Sequence, residues 1–184
     1  MSEQEKVLES QIREIFGRVV YTHKTHEKCA DILKNRSDCF KSFEIILSAL
    51  TTTSILVVVF KNGVYYQCLA ALFSTLLLAL NLYSKDFNLL AIVEKHKRAA
   101  LDILEIREKL FSLLIDIRIG NKAIELLQQE RDDLNEQLVN IFRGAPKTIN
   151  KAYRIASKAL QQNEEFTFSD KEIDKFLPDK LRIN

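Results

Sequence analysis

Two long uncharged stretches occupy the middle of the chain. Residues 45–60 carry no charge, Lys61 follows, and residues 62–84 are again uncharged, while all 25 acidic residues lie outside these two stretches. The segments on both sides are dense in Lys, Arg, Asp and Glu. Soluble chains of this size rarely separate their charges in this way, so the pattern favours a membrane segment over a buried hairpin in a soluble bundle.

The second stretch has the length of a bilayer span. Its apolar part, 64–83, covers roughly 30 Å at about 1.5 Å per helical residue, which equals the thickness of the hydrocarbon core. The first stretch is shorter and needs Phe40 and Phe43 to extend it. We therefore predict a transmembrane hairpin at 40–84, with spans at about 43–60 and 64–83 and a turn at 61–63.

The flanking segments are amphipathic with helical spacing. In the N-terminal helix predicted at 1–38, residues of one face recur every three or four positions. The long helix predicted at 85–143 carries a heptad repeat, which is typical of a helix that pairs with another helix or chain. Its candidate oligomer face consists of Ile103, Leu110, Ile117 and Ile124. Gly120 interrupts the heptads without changing their phase, so we expect a continuous or bent helix there.

The C-terminal part, 146–184, is predicted as further helices and a tail. Gly144 is a helix stop, and Pro146 is expected to start a helix that runs to about Gln162. Ser169 with Glu172 matches a capping box for one more short helix. The fold class is therefore all-α: a two-span transmembrane hairpin with long cytoplasmic amphipathic helices before and after it.

Composition narrows the functional classes. The 184 residues include only four Gly and two Pro, too few turn formers for a sandwich, a barrel or a Rossmann sheet. The isolated glycines exclude a phosphate-binding glycine-rich loop. With 27 Lys and Arg against 25 Asp and Glu, there is no basic surplus, and we expect no direct nucleic-acid binding.

The basic residues predict the topology. Five of them precede the hairpin from Lys24 to Lys41, four follow it from Lys85 to Arg98, and the turn holds only Lys61. The positive-inside rule then places both termini in the cytoplasm of a multi-pass inner-membrane protein. The acidic, polar N-terminal segment does not resemble a cleavable signal peptide. Three cysteines form no disulfide framework.

Candidate catalytic chemistry is sparse. His23, His26 and Cys29 have a spacing that drifts off one helix face, so ordinary helix residues are favoured over a metal site. His96 occupies a heptad position, where a packed histidine is favoured over a general base. We therefore expect no catalytic residues, no metal and no cofactor, and no enzyme activity.

Polar residues recur at helical spacing inside both spans. Gln and Asn side chains are costly in lipid and should face protein or water. Two interpretations stay open: the polar residues pack helix against helix, or they line an aqueous path in an oligomer, since two spans alone cannot enclose a pore. The candidate residues are Ser48, Thr51, Thr52, Gln67, Ser74 and Asn81.

The segment 15–33 resembles the helix before the membrane hairpin in SLATT domains, chiefly through Tyr21-Thr22-x-Lys24-Thr25-x-Glu27-Lys28-x-Ala30. SLATT domains are two-transmembrane effectors associated with nucleotide-sensing bacterial defence systems. The resemblance implies an effector that oligomerises and breaches the inner membrane when a partner sensor detects infection. A second-messenger synthase or a reverse transcriptase would be that partner. The alternative is a membrane-anchored scaffold that forms no pore and recruits partners through its helices.

Overall fold

The computed structural model describes residues 2–61 and 63–183, and every regular element in them is helical. The all-α fold class is thus confirmed. The expected turn at 61–63 includes Asn62, which lies outside the described residues. Two compact units are formed: one by the described residues up to Lys28 together with those from Ala99 onward, the other by Cys29–Arg98. The helices are α1 Glu3–Phe60, α2 Val64–Phe87, α3 Leu89–Ile119, α4 Ile124–Gly144, α5 Asn150–Gln161 and α6 Asp170–Asp174, followed by a 3-10 turn at Asp179–Leu181.

The first unit has a core made by three helices. The N-terminal part of α1 contributes its predicted face, and α3 and α4 contribute their heptad residues to the same cluster. Burial of these aliphatic side chains is the main stabilising term of such a bundle. The members are Leu8, Ile12, Ile15, Val19, Ile103, Ile106, Leu110, Leu113, Ile117, Leu127, Leu134 and Leu138.

The long helix expected at 85–143 is not continuous, and that expectation is wrong at Gly120. Helix α3 ends at Ile119, Gly120 has φ +70°, and α4 begins at Ile124. Glycine adopts this left-handed conformation without steric cost. Lys122 stabilises the turn, because its ammonium lies 3.0 Å from Asp116 and 2.8 Å from Glu130. The heptad phase survives because α3 and α4 both bury their faces in one core.

The C-terminal helices differ from expectation at one boundary. Helix α5 begins at Asn150 rather than at Pro146, because the chain is extended on both sides of the proline, at Ala145 and at Ile149. The capping box is confirmed: the Ser169 N–H donates to the Glu172 carboxylate at 2.8 Å and opens α6. That hydrogen bond is the main reason why the pKa of Glu172 is lowered.

The second unit contains the hairpin. The C-terminal half of α1, which ends at Phe60, and the whole of α2, which begins at Val64, lie in it. Each helix has one row of half-buried side chains at spacings of mostly three and four, which is the pattern of two helices packed along a seam. These seam residues are Glu44, Leu47, Thr51, Ser54 and Val58 on α1, and Ala70, Phe73, Leu77, Leu80 and Ser84 on α2.

Candidate functional site

Polar and aromatic contacts fasten the open end of the hairpin. The Arg36 guanidinium donates to the Tyr83 hydroxyl at 3.1 Å, and the Ser84 hydroxyl donates to the Glu44 carboxylate at 2.6 Å. The Phe40 and Tyr83 rings are 5.4 Å apart between centroids. A tyrosine side chain combines an apolar ring with a hydroxyl that can hydrogen-bond to water, so it is suited to the membrane–water boundary. This end of the hairpin therefore has the composition of an interface.

Most apolar side chains of the spans point away from the seam. Ile45 and Val59 are each 71% exposed, and Leu78 is 60% exposed. An apolar surface of this extent is rare on soluble monomers and is typical of a lipid or protein contact. This exposure favours a membrane segment over burial of the hairpin inside a single-chain soluble bundle.

The six polar residues singled out in the spans fall into two groups. Thr51 lies in the seam, whereas Ser48, Thr52, Gln67, Ser74 and Asn81 are exposed. At 3.6 residues per turn, the exposed residues lie roughly a fifth to two fifths of a turn from the seam, on the same rotational side of each helix. They form an outer polar face, a name used below for these five residues.

Two candidate hydroxyls of the first span are satisfied within their own helix. Thr51 donates to the Leu47 carbonyl at 2.8 Å, and Thr52 donates to the Ser48 carbonyl at 3.0 Å. Such bonds to the preceding turn let threonine reside in a transmembrane helix without a partner. The side chains of Gln67, Ser74 and Asn81 make no hydrogen bond to any residue within 2–61 or 63–183. A second protein surface or water would therefore stabilise these three side chains.

The candidate oligomer face on the long helix is filled by the chain itself. Ile103, Leu110 and Ile117 are at most 1% exposed, and Ile124 packs against the same core. The partners in this core are the N-terminal part of α1 and helix α4. Burial against another helix is thus observed within one chain, and this face offers no free surface to a second copy.

The first unit holds a charged cluster that the sequence analysis did not predict. The Lys24 ammonium lies 2.9 Å from Glu27 and 2.6 Å from Glu165, and its side chain is only 9% exposed. The ammonium also lies 4.6 Å from the centre of the Phe166 ring, and the Arg107 guanidinium lies 4.7 Å from it. Cations over an aromatic face are attracted by its quadrupole. In the sequence, only the α1 motif, which includes Lys24 and Glu27, pointed to residues of this cluster.

Burial and charge perturb the ionisable groups of this cluster. Burial alone would lower the pKa of Lys24, but its hydrogen bonds to Glu165 and Glu27 outweigh burial and raise it. The hydrogen bond from Lys24 lowers the pKa of Glu165. Burial lowers the pKa of His23, although Glu27 at 3.7 Å opposes this effect. At neutral pH the cluster therefore holds a charged lysine, a charged glutamate and a neutral histidine.

The histidines give no sign of joint metal binding. His23 stacks on Phe166 with ring centroids 5.5 Å apart, so it belongs to the charged cluster. Burial lowers the pKa of His96, whose side chain is 2% exposed. No group of three or more potential metal ligands converges within the part of the chain that the structure describes.

The hairpin and its surroundings define a class of protein: an all-helical chain with two apolar helices long enough to cross a membrane. A family model described as "SMODS and SLOG-associating 2TM effector domain family 4" matches residues 8–172. The chain belongs to this SLATT family of two-transmembrane effector domains. This confirms the family resemblance and indicates a membrane protein. No curated protein and no solved structure matches the chain.

Proposed function

We propose that this protein is a membrane effector of a bacterial antiviral system, whose copies assemble through the outer polar face and permeabilise the inner membrane. Membership of a two-transmembrane effector family supports the effector role. The exposed amide side chains on α2 support the assembly. A partner sensor, either a second-messenger synthase or a reverse transcriptase, would supply the trigger.

The outer polar face carries this proposal. Gln67, Ser74 and Asn81 lie on one side of α2 at spacings of seven, and all three are exposed. A second copy could contact all three side chains along one face. Each interhelical polar contact in a membrane contributes about 0.6 kcal/mol, and up to ~1.7 kcal/mol, so three contacts together would favour assembly. Ser74 is also small enough to allow close helix approach. The seam within one chain leaves these groups without partners.

Several hairpins are needed for a water path. Two helices cannot surround a channel, but copies that pair through the outer polar face can form a ring around a water path. Both cytoplasmic termini and the folded first unit would then stay on the side where a sensor can act. Lipid tails would cover the apolar residues on the remaining faces of each hairpin.

Replacement of the polar side chains tests the proposal. Ser74→Leu and Asn81→Leu should insert normally, because leucine is favourable in lipid, yet they should suppress membrane depolarisation when the partner system is triggered. Thr75→Val is the matched control. Thr75 is exposed on the same helix, but its hydroxyl donates to the Ala71 carbonyl at 2.8 Å and needs no other partner.

A membrane-potential dye in triggered cells and dye-loaded liposomes give the readout. Loss of leakage in both leucine variants with normal leakage in Thr75→Val supports the assembly. If both leucine variants leak as much as Thr75→Val and the wild-type protein, the outer polar face has no role in permeabilisation. Absence of leakage from the wild-type protein under every trigger would favour the scaffold, in which the hairpin is only an anchor.

A further inference from the structure

The segment between α5 and α6 has an unusual backbone. Glu164 has φ 50° and Phe166 has φ 83°, which places two non-glycine residues in the left-handed region. Residues with a Cβ rarely adopt this conformation unless surrounding contacts hold them there, and such positions are concentrated at switches and binding sites. Specific contacts should therefore hold this segment.

The ionic and ring contacts of this segment come from the α1 motif and from α3, while the Glu165 N–H donates to the Ala159 carbonyl of α5 at 3.1 Å. Lys24 forms an ion pair with Glu165 at 2.6 Å, and Lys24 and Arg107 both lie over the Phe166 ring. His23 stacks on the same ring. One turn earlier in the chain, the Gln161 amide donates to the Tyr21 hydroxyl at the end of α5. The α1 motif thus contacts the acidic side chain of Glu165 and the aromatic side chain of Phe166, which are adjacent in the sequence.

An aromatic groove lies beside these contacts. Its volume is about 620 Å³, and the turn forms one wall of it through Phe166 and Phe168. Phe16 on α1 and Phe111 on α3 line it too, with ring centroids 6.3 Å apart. The turn therefore covers part of a groove in which Phe16 is half-buried and Phe111 is 52% exposed. None of the residues of the turn belongs to the aliphatic core of α1, α3 and α4.

We propose that residues 164–168 are a latch, which closes on His23, Lys24 and Arg107 and opens without unfolding the α1–α3–α4 core. Three observations support a separate opening: the backbone is strained, the contacts are ionic and aromatic, and the core lies elsewhere. Opening releases Glu165 and Phe166 from α1 and α3 and removes one wall of the groove. The latch thereby gives the SLATT motif of α1 a role as the receptor of a segment of its own chain.

Hydrogen–deuterium exchange of the full chain in lipid nanodiscs tests the latch. The variants are Glu165→Gln, which removes the charge that Lys24 pairs with, and Phe166→Ala, which removes the ring. The controls are Glu164→Gln and Phe176→Ala. The Glu164 carboxylate forms no ion pair with a described residue, and Phe176 is 84% exposed. Protection of α4 reports whether each variant keeps its core.

In the wild-type protein, amides of 161–168 should be protected, yet exchange faster than those of α4. Both latch variants should speed that exchange by about tenfold or more, as expected for loss of a charge-assisted contact, and leave α4 unchanged. The controls should match the wild type. An unprotected wild-type segment, exchange at the rate of the α4 core, or latch variants that match their controls would each overturn the latch.

Control of the membrane segment by the latch rests on the proposed function. If the closed latch restrains the effector, Glu165→Gln and Phe166→Ala should leak dye with less trigger than the wild type. Equal leakage of variants and wild type would refute this restraint. A wild-type protein that never leaks would count against the proposed function, and the latch would still be judged by exchange alone.

Discussion

Removal of one core side chain should reveal whether α1, α3 and α4 form a cooperative bundle. Leu110 is 1% exposed and lies in the centre of the shared core. Leu110→Ala removes one methine and two methyl carbons and leaves a cavity, so it should lower the free energy of unfolding by about 2–5 kcal/mol. Leu110→Asp should cost more, because it buries a charge without a partner.

Leu101 provides the matched control on the same helix. It is 66% exposed, so Leu101→Ala should change the free energy of unfolding by no more than about 0.5 kcal/mol. The assay is urea unfolding of the full chain in detergent, followed by circular dichroism. A loss for Leu110→Ala no larger than that for Leu101→Ala would refute the bundle. A large loss for Leu101→Ala would mean that this side of α3 is covered by another chain.

Further predictions concern pH, the Gly120 turn and topology. Burial lowers the pKa of His23 in the folded state, so the unfolded chain binds more protons below about pH 6.5. The contribution of His23 to stability should therefore be complete above that pH and should fall toward pH 5. Melting temperatures measured across this range would report the change. His23→Gln should weaken this dependence, whereas His96, whose pKa burial also lowers, should retain part of it; a melting temperature that rises on acidification would contradict the assignment. Gly120→Ala should lower the free energy of unfolding by about 1–2 kcal/mol, because a Cβ at φ +70° is strained although no atom lies within 4 Å of it; Gly144→Ala is the control, and an equal effect of both would argue against the left-handed turn. A reporter fused after residue 184 should show a cytoplasmic C-terminus, and periplasmic activity would refute the predicted topology.

Periodicity predicted most of the helices and their buried faces, but not the break after Ile119 or the start of α5 at Asn150. The heptads of Ile103, Leu110 and Ile117 indicated a buried face correctly, because aliphatic spacing records which side of a helix is covered. The same spacing cannot tell whether the covering helix belongs to the same chain. Gly120 shows a related limit: two helices that pack on one core keep their phase across a break.

The charged cluster could not be predicted from spacing at all. Glu165 and Phe166 lie about 140 residues from Lys24 in the sequence, in a segment without helical periodicity. Their contact with Lys24 depends on two residues with left-handed backbone conformation, Glu164 and Phe166. Neither is a glycine, so the sequence gives no indication of this conformation. Likewise, the spacing of Gln67, Ser74 and Asn81 predicted a common face, but only the packing of the hairpin shows that this face lies outside the seam.

Cysteine cross-linking in native membranes tests the central claim most directly, namely that copies of the hairpin meet through the outer polar face. The background is a chain with Cys29→Ala, Cys39→Ser and Cys68→Ser, to which either Ser74→Cys or Leu77→Cys is added. Ser74 is exposed on α2, whereas Leu77 lies in the seam within one chain. We predict that an oxidant produces covalent dimers of the Ser74→Cys chain and not of the Leu77→Cys chain. Absence of dimers at position 74, or equal dimers at both positions, would contradict assembly through this face.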